Sequence, residues 1–250
     1  MADDSKKGAD LAARGNRVVP EPAAVSRDID AFLQVAKAKV PGPAGARGRL
    51  VFALDATMSR QPTWDMACRL QADMFTTTAA SGGLDVQLVY FRGFNECRAS
   101  RFVPDARALT DLMAQIDCRG GHTQIGRVLE HVRAETRRLP VQALVYVGDA
   151  LEEALDPLCA TAGEIGLLGV KAFMFHEGGD PVAERGFREI ARLTGGAYAR
   201  FDAAAGAQLS ALLRAAAAYA AGGRAALTRL ADAGDGGARL LVGQMQKGAR

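Results

Sequence analysis

Two kinds of apolar pattern alternate along the chain. Short continuous apolar runs are typical of strands buried on both faces, and they predict strands at residues 50–54, 84–93, 97–103, 141–147, 170–175 and 197–201. Between them, apolar residues recur every three or four positions, which predicts helices at 62–80, 105–116, 123–139, 155–168, 181–193 and 203–221. The alternation predicts an α/β, doubly wound, Rossmann-like fold with a mostly parallel six-stranded sheet and helices on both faces.

Both ends of the chain extend this core. Residues 1–25 are rich in Ala, Lys, Asp and Pro without a sustained period, and we expect them to be disordered. Residues 26–48 combine an N-terminal helix, with Ile29, Phe32 and Leu33 on one face, and a breaker-rich linker. This helix either packs on the main domain, residues 49–221, or binds a partner. Residues 222–250 form a C-terminal extension with a predicted short helix and a glycine-rich tail.

Composition narrows the class of protein. The 31 basic and 28 acidic residues give a net charge of +3, which is too small to indicate a nucleic-acid partner. Four widely spaced cysteines and three scattered histidines predict neither a disulfide framework nor a transition-metal site. No uncharged apolar run approaches the ~20 residues of a membrane span, and the N-terminus has no apolar core typical of a secretory signal. We therefore expect a cytoplasmic protein with no membrane partner.

Acidic residues end two of the predicted buried strands. The first strand ends at Asp55, followed by hydroxyls at Thr57 and Ser59, and the fourth is followed by Asp149. Because an unpaired charge is costly inside a core, these acids are expected at the carboxyl ends of the strands, where open α/β sheets bind ligands. With strand order 3-2-1-4-5-6 the two acids are neighbours, and a paired-glycine loop brings a third hydroxyl, Thr123. Oxygen ligands suit Mg²⁺, although each hydroxyl is also compatible with a helix N-cap.

These segments resemble the metal-ion-dependent adhesion site of the von Willebrand factor type A family, which includes the integrin inserted domain. The likeness rests on the D-x-[T/S]-x-S segment from Asp55 to Ser59, the G-G-x-T loop ending in Thr123, and Asp149, and it covers about residues 49–221. Thr57 stands where serine is commoner and Ala150 where glycine is frequent, and neither change removes a ligand. The resemblance implies one Mg²⁺ or Mn²⁺ held by Asp55, Thr57, Ser59, Thr123 and Asp149.

The same resemblance implies a function. In the family, an open coordination position on the metal accepts a carboxylate from a partner protein, so the chain is predicted to be a non-enzymatic, metal-dependent interaction module. Cytoplasmic bacterial relatives often work beside AAA+ ATPases or chaperones, which is the partner class expected here. Five residues are predicted to form a rim around the open position: Arg60, Arg119, His122, Glu152 and Glu153. The basic members would attract an acidic partner, whereas the glutamates either occupy the metal themselves or favour the N-terminus of the next helix.

The alternative is a metal-dependent phosphohydrolase. An Asp at the end of a first parallel strand followed by Thr resembles the haloacid-dehalogenase-type phosphatases. That motif needs a second acid two residues after the first, where this chain has Thr57, and no strand-end lysine follows. Ser59 lacks the G-x-S-x-G elbow of a serine hydrolase, and no Walker lysine loop is present. The interaction module is therefore the preferred hypothesis.

Overall fold

The computed structural model describes residues 47–202 and 205–247. The predicted disordered segment and the predicted N-terminal helix lie outside the described residues. Within the described part, strands and helices alternate as the apolar pattern predicts.

Six strands form one sheet. They are β1 Gly48–Asp55, β2 Leu84–Arg92, β3 Glu96–Val103, β4 Ala143–Gly148, β5 Lys171–Glu177 and β6 Ala197–Phe201. Their order is β3-β2-β1-β4-β5-β6. Every neighbouring pair is parallel except β2 and β3, which pair antiparallel at one edge. The predicted doubly wound, mostly parallel sheet is confirmed, and β1 and β4 lie side by side.

Eight α-helices accompany the sheet in the described residues. They are α1 Gln61–Leu70, α2 Ala72–Thr78, α3 Ala106–Met113, α4 Ile125–Arg138, α5 Leu155–Leu167, α6 Pro181–Thr194, α7 Gly206–Asp232 and α8 Gly236–Lys247, with 3-10 turns at Met58–Arg60 and Ala79–Ser81. The helix predicted at 62–80 is thus two helices that meet at Gln71. There the side-chain amide of Gln71 donates to the Ala106 carbonyl at 3.0 Å and to the Thr110 hydroxyl at 2.6 Å. The helix predicted to begin at residue 123 is α4, which begins at Ile125.

Strand β1 shows how the sheet separates two cores. Leu50, Phe52 and Leu54 pack on the face covered by α1, α2 and α7. Val51 and Ala53 point to the opposite face, covered by α4, α5 and α6. Since successive side chains of a strand alternate between faces, a continuous apolar run is required here. The carboxyl end of β1 is where this apolar run ends.

The C-terminal extension is helical. Non-helical backbone at Gly222 and Gly223 interrupts α7 and divides it into two helical segments, as the sequence predicts. Helix α8 replaces the predicted glycine-rich tail and packs closely on α7. A Cβ atom on Gly237 would lie 2.5 Å from the backbone of Ala211, so this helix contact requires glycine.

Candidate metal centre

Two strand-end carboxylates meet at one edge of the sheet. Parallel pairing of β1 with β4 places Leu54 opposite Val147, so Asp55 and Asp149 follow at the same carboxyl edge. The charge of Asp149 contributes to raising the pKa of Asp55. The Nε2 atom of His176, on β5, lies 3.3 Å from the carbonyl oxygen of Asp149 and contacts the start of this loop. The predicted convergence of the two acids is therefore present in the fold.

Asp55 is an ionisable group in a buried setting. Its exposed fraction is 3%, and burial, the largest cause, raises the pKa of its carboxyl to about 6. Hydrogen bonds from the hydroxyl and backbone N–H of Thr57 and the charge of Arg60 act in the opposite direction. The Thr57 N–H donates to Asp55 Oδ1 at 2.8 Å. The carboxylate is held in one orientation, but burial destabilises its charged form. A nearby cation would reduce this destabilisation.

The hydroxyl-bearing loop after β1 is a tight turn. Thr57 is extended, with φ −74° and ψ 163°, and precedes the 3-10 turn that contains Ser59. The Arg60 N–H donates to the Thr57 carbonyl at 2.9 Å and closes the turn. The Ala56 N–H donates to the Phe91 carbonyl, and its own carbonyl accepts from the Arg119 N–H, both at 2.9 Å. The loop after β1 is thereby joined to the end of β2 and to the loop after α3.

Thr123 is buried and bonded to the loop that carries Asp149. Its Oγ1 accepts from the Glu152 N–H at 3.0 Å, and its own N–H donates to Glu152 Oε2 at 2.8 Å. This reciprocal pair joins the two loops across 29 positions of sequence. Because a hydroxyl oxygen has two lone pairs and one hydrogen, Oγ1 keeps a lone pair that is available to a metal ion.

Arg60 lies beneath the site and not on an accessible rim. Its side chain is 3% exposed, and Nη1 lies 3.6 Å from Asp149 Oδ2. Its Nη2 donates to Glu177, and the Thr63 hydroxyl donates to the same carboxylate oxygen. The prediction that Arg60 attracts an acidic partner directly from the rim is wrong, because a side chain buried this deeply has no accessible surface for a partner.

Glu177 is the site residue that the sequence reasoning missed. It ends β5, which neighbours β4, so a third acid stands at this edge of the sheet. The signal resembles that of Asp55 and Asp149, an acid after a buried apolar run, but here His176 separates the run from the acid. The predicted strand ends at Phe175, two residues before the end of β5, so Glu177 lies outside it.

The other four predicted rim residues are two exposed basic side chains and two glutamates that accept backbone hydrogen bonds. Arg119 and His122 are exposed, and His122 Nδ1 lies 3.2 Å from the Glu152 carboxylate. Glu153 accepts from the Ile125 N–H at 2.6 Å and from the Gly126 N–H at 2.8 Å. Glu153 thus satisfies the first free amides of α4. The predicted helix-end role at α5 is therefore replaced by one at α4 for Glu153, whereas Glu152 bonds the Thr123 N–H in the loop before α4.

The chemistry of these groups fits a hard divalent cation. Among residues 47–202 and 205–247, no three His, Cys, Asp or Glu side chains are grouped to hold a metal ion. The donors that converge are two carboxylates and neighbouring hydroxyls, all oxygen, which Mg²⁺ and Mn²⁺ prefer. Burial still raises the pKa of Asp55 despite the charge of Arg60, so a further cation would stabilise its carboxylate. Arg60, the nearest basic residue by sequence, is bonded to Glu177.

Comparison with known proteins identifies the fold. No protein-family model matches this sequence, and no curated protein matches it. Among solved structures, an aerotolerance-related membrane protein from Bacteroides fragilis NCTC 9343 is 18% identical, with a TM-score of 0.52, covering 68% of this chain and 98% of that one. The VWA domain of SpRpn10 is 12% identical, with a TM-score of 0.51, covering 64% of this chain and 90% of that one.

A third similar structure contains a metal. Proximal thread matrix protein 1 from the mussel byssus, described with a zinc-occupied MIDAS motif, is 18% identical, with a TM-score of 0.54, covering 69% of this chain and 48% of that one. Identities this low show the fold alone. The protein therefore has a von Willebrand factor A-type fold, which confirms the resemblance at the level of the fold. No helix in the described part of the chain has both the length and the apolar character to cross a bilayer.

Proposed function

We propose that this protein is a metal-dependent protein–protein interaction module. The observation that carries the proposal is the meeting of Asp55 and Asp149 at one sheet edge, with Asp149 contributing to the raised pKa of the buried Asp55. Two carboxylates whose charges interact in a partly buried site favour a divalent cation between them. The buried hydroxyls of Thr57 and Thr123 on adjoining loops add neutral oxygen donors.

In this proposal Asp55, Thr57, Ser59, Thr123 and Asp149 hold Mg²⁺ or Mn²⁺. The two carboxylates balance the charge of the ion, and the hydroxyls add no further charge. A divalent ion with an open position supplies a Lewis-acidic contact for a carboxylate of a partner protein. Exposed residues around the loops would then set which partner binds, because electrostatic complementarity contributes mainly to specificity.

The partner class follows from the family resemblance. We infer that the partner is a protein that presents an Asp or Glu side chain, as a component of an AAA+ ATPase or chaperone system would. A displayed peptide library selected on the Mg²⁺-loaded domain tests the carboxylate directly. Enrichment of Asp or Glu that disappears with chelator is expected, and selection that ignores both carboxylates and chelator would contradict the proposal.

Calorimetric titration with Mn²⁺ and Mg²⁺ tests the metal site. The parent is expected to bind one ion, and Asp55→Ala to lose binding while remaining folded, because the carboxylate lies at the end of the strand and not within the apolar core. Asp111→Ala is the matched control, since it removes an exposed carboxylate on α3. An Asp55→Ala variant that binds metal as tightly as the parent would show that the site is assigned to the wrong residues.

The same variant addresses the phosphohydrolase alternative. We expect no turnover of p-nitrophenyl phosphate with Mg²⁺, because Thr57 occupies the place of the second catalytic acid and its N–H already donates to Asp55. Turnover that Asp55→Ala abolishes would favour an enzyme.

A further inference from the structure

A buried cation stands between two carboxylates of the candidate site. Arg60 pairs with Glu177 and approaches Asp149, and the side chains of Arg60 and Glu177 are only 3% and 14% exposed. Asp149 is more accessible, with 33% of its side chain exposed. Asp149 is a proposed metal ligand. The charged guanidinium of Arg60 lies close enough to compete with a metal ion for its carboxylate.

The geometry assigns the guanidinium to Glu177. The 3.6 Å from Arg60 Nη1 to Asp149 Oδ2 is too long for a good hydrogen bond, whereas Nη2 hydrogen-bonds to Glu177. Among the described residues, the buried Nε of Arg60 has no hydrogen-bond partner. The guanidinium is therefore anchored through one nitrogen to one carboxylate. That carboxylate is itself fixed by the Thr63 hydroxyl.

We propose that Glu177 is a positioning residue that holds Arg60 back from Asp149, and that this pair sets the affinity of the site for its divalent cation. The inference rests on the proposed metal-binding function and adds two residues outside the ligand set. With Glu177 in place, Asp149 keeps a carboxylate that is free to meet a metal ion. Without it, the guanidinium is released toward Asp149, the nearest remaining acid.

Charge counting gives the direction of each change. Asp55, Asp149 and Glu177 carry three negative charges against one positive charge on Arg60, so the net charge of the four side chains is −2. Replacing Glu177 by Gln leaves a net charge of −1 and frees the Arg60 guanidinium to compete with the metal ion for Asp149. Replacing Arg60 by Met leaves −3 and removes the competitor. Opposite effects on metal affinity are therefore expected from disrupting the two halves of one pair.

Mn²⁺ titration of a double-mutant cycle tests the inference. Glu177→Gln is expected to weaken binding at least about tenfold, and Arg60→Met to tighten it. The double variant should bind at least as tightly as the parent, because no guanidinium remains to be released. Arg60→Lys, which keeps the charge, should fall between the parent and Arg60→Met. Glu189→Gln, a surface carboxylate on α6 paired with Arg192, is the control and should not change affinity.

A purely structural role predicts a different ranking. If Arg60 only supports the fold of the loops, Arg60→Met will weaken Mn²⁺ binding as Glu177→Gln does, and the double variant will be weaker still. Either result overturns the inference while leaving metal binding by the parent, and so the proposed function, intact.

Unfolding measured in chelator tests the pairing of Arg60 with Glu177 without any metal ion. Each single variant removes the Arg60–Glu177 ion pair, so each should unfold more readily than the parent, and the double variant should lose less than the sum of the two. Strictly additive losses would overturn the inference.

A parent that binds no Mn²⁺ would overturn the proposed function for the natural chain, and binding gained only by Arg60→Met would still support the inference. If neither parent nor Arg60→Met binds Mn²⁺, both fail.

Discussion

At the scale of single residues, the site depends on a carboxylate that is unfavourable in the metal-free fold. Burial raises the pKa of Asp55 from 3.8 to about 6. Between these two values the folded protein binds a proton that the unfolded chain releases, so stability falls as the pH rises through this window and levels off above it. The functional residue thus costs stability at neutral pH until a cation compensates it.

Asp55→Asn should therefore stabilise the metal-free protein at pH 7. The pKa shift of about two units corresponds to roughly 3 kcal/mol as an upper estimate, and the amide oxygen can still accept from the Thr57 N–H. Near pH 4 the gain should largely vanish, because the parent carboxyl is then protonated. Denaturant unfolding in chelator at both pH values measures this, with Asp111→Asn as the exposed control. A gain that does not depend on pH would argue against buried ionisation as its cause.

At the scale of elements, the site is built by loops that approach each other very closely. The His122 N–H donates to the Gly93 carbonyl at 3.2 Å, which joins the Thr123 loop to the β2–β3 turn. A Cβ atom on Gly121 would lie 2.1 Å from the same carbonyl oxygen. Glycine is needed at this position for close approach, and the position of Thr123 depends on it.

The neighbouring glycine provides a matched test of this contact. Gly121→Ala should cost about 1–3 kcal/mol of stability through overpacking and weaken Mn²⁺ binding at least about tenfold by displacing the loop that carries Thr123. Gly120→Ala should do neither, because a Cβ there meets nothing within 4 Å. Calorimetry and denaturant unfolding on the pair give the comparison. Equal behaviour of the two variants would show that the Gly93 contact does not position the loop.

At the scale of the whole molecule, the C-terminal helix completes the sheet. β6 is an edge strand, and the Gln244 side chain of α8 bonds both backbone groups of one of its residues, Tyr198. The Tyr198 N–H donates to Gln244 Oε1 at 2.8 Å, and Gln244 Nε2 donates to the Tyr198 carbonyl at 2.5 Å. Covering an edge in this way satisfies backbone groups that would otherwise be unpaired. The extension is therefore part of the folded domain.

Gln244→Ala should lower the free energy of unfolding by about 2 kcal/mol, because it leaves two backbone groups of a buried residue unpaired. Gln208→Ala is the control, since its exposed side chain makes one bond, to the Arg200 carbonyl, and its loss should cost less than about 1 kcal/mol. Thermal and denaturant unfolding compare the two. A smaller loss for Gln244→Ala than for Gln208→Ala would show that α8 does not protect the edge.

The sequence by itself predicted the six strands, most of the helices and the position of Asp55 and Asp149 at strand ends, and the structure supplies the sheet order that makes those two strands neighbours. Apolar periodicity is a local signal, and buried strands with an acid at the end leave few topologies to consider. The sequence did not predict helix α8, because its glycines indicate a tail. The close contact with α7 explains why one of them, Gly237, is glycine.

Only the tertiary structure decided how the charges around the site are paired. Arg60 and Glu177 are separated by 117 positions and meet because β1, β4 and β5 are neighbours. Glu153 reaches the amides of α4 across 28 positions for the same kind of reason. Each of these side chains has several carboxylates or amides of equal chemistry within the chain as possible partners. The choice among them depends on distances between remote backbones, which exist only after the sheet has assembled.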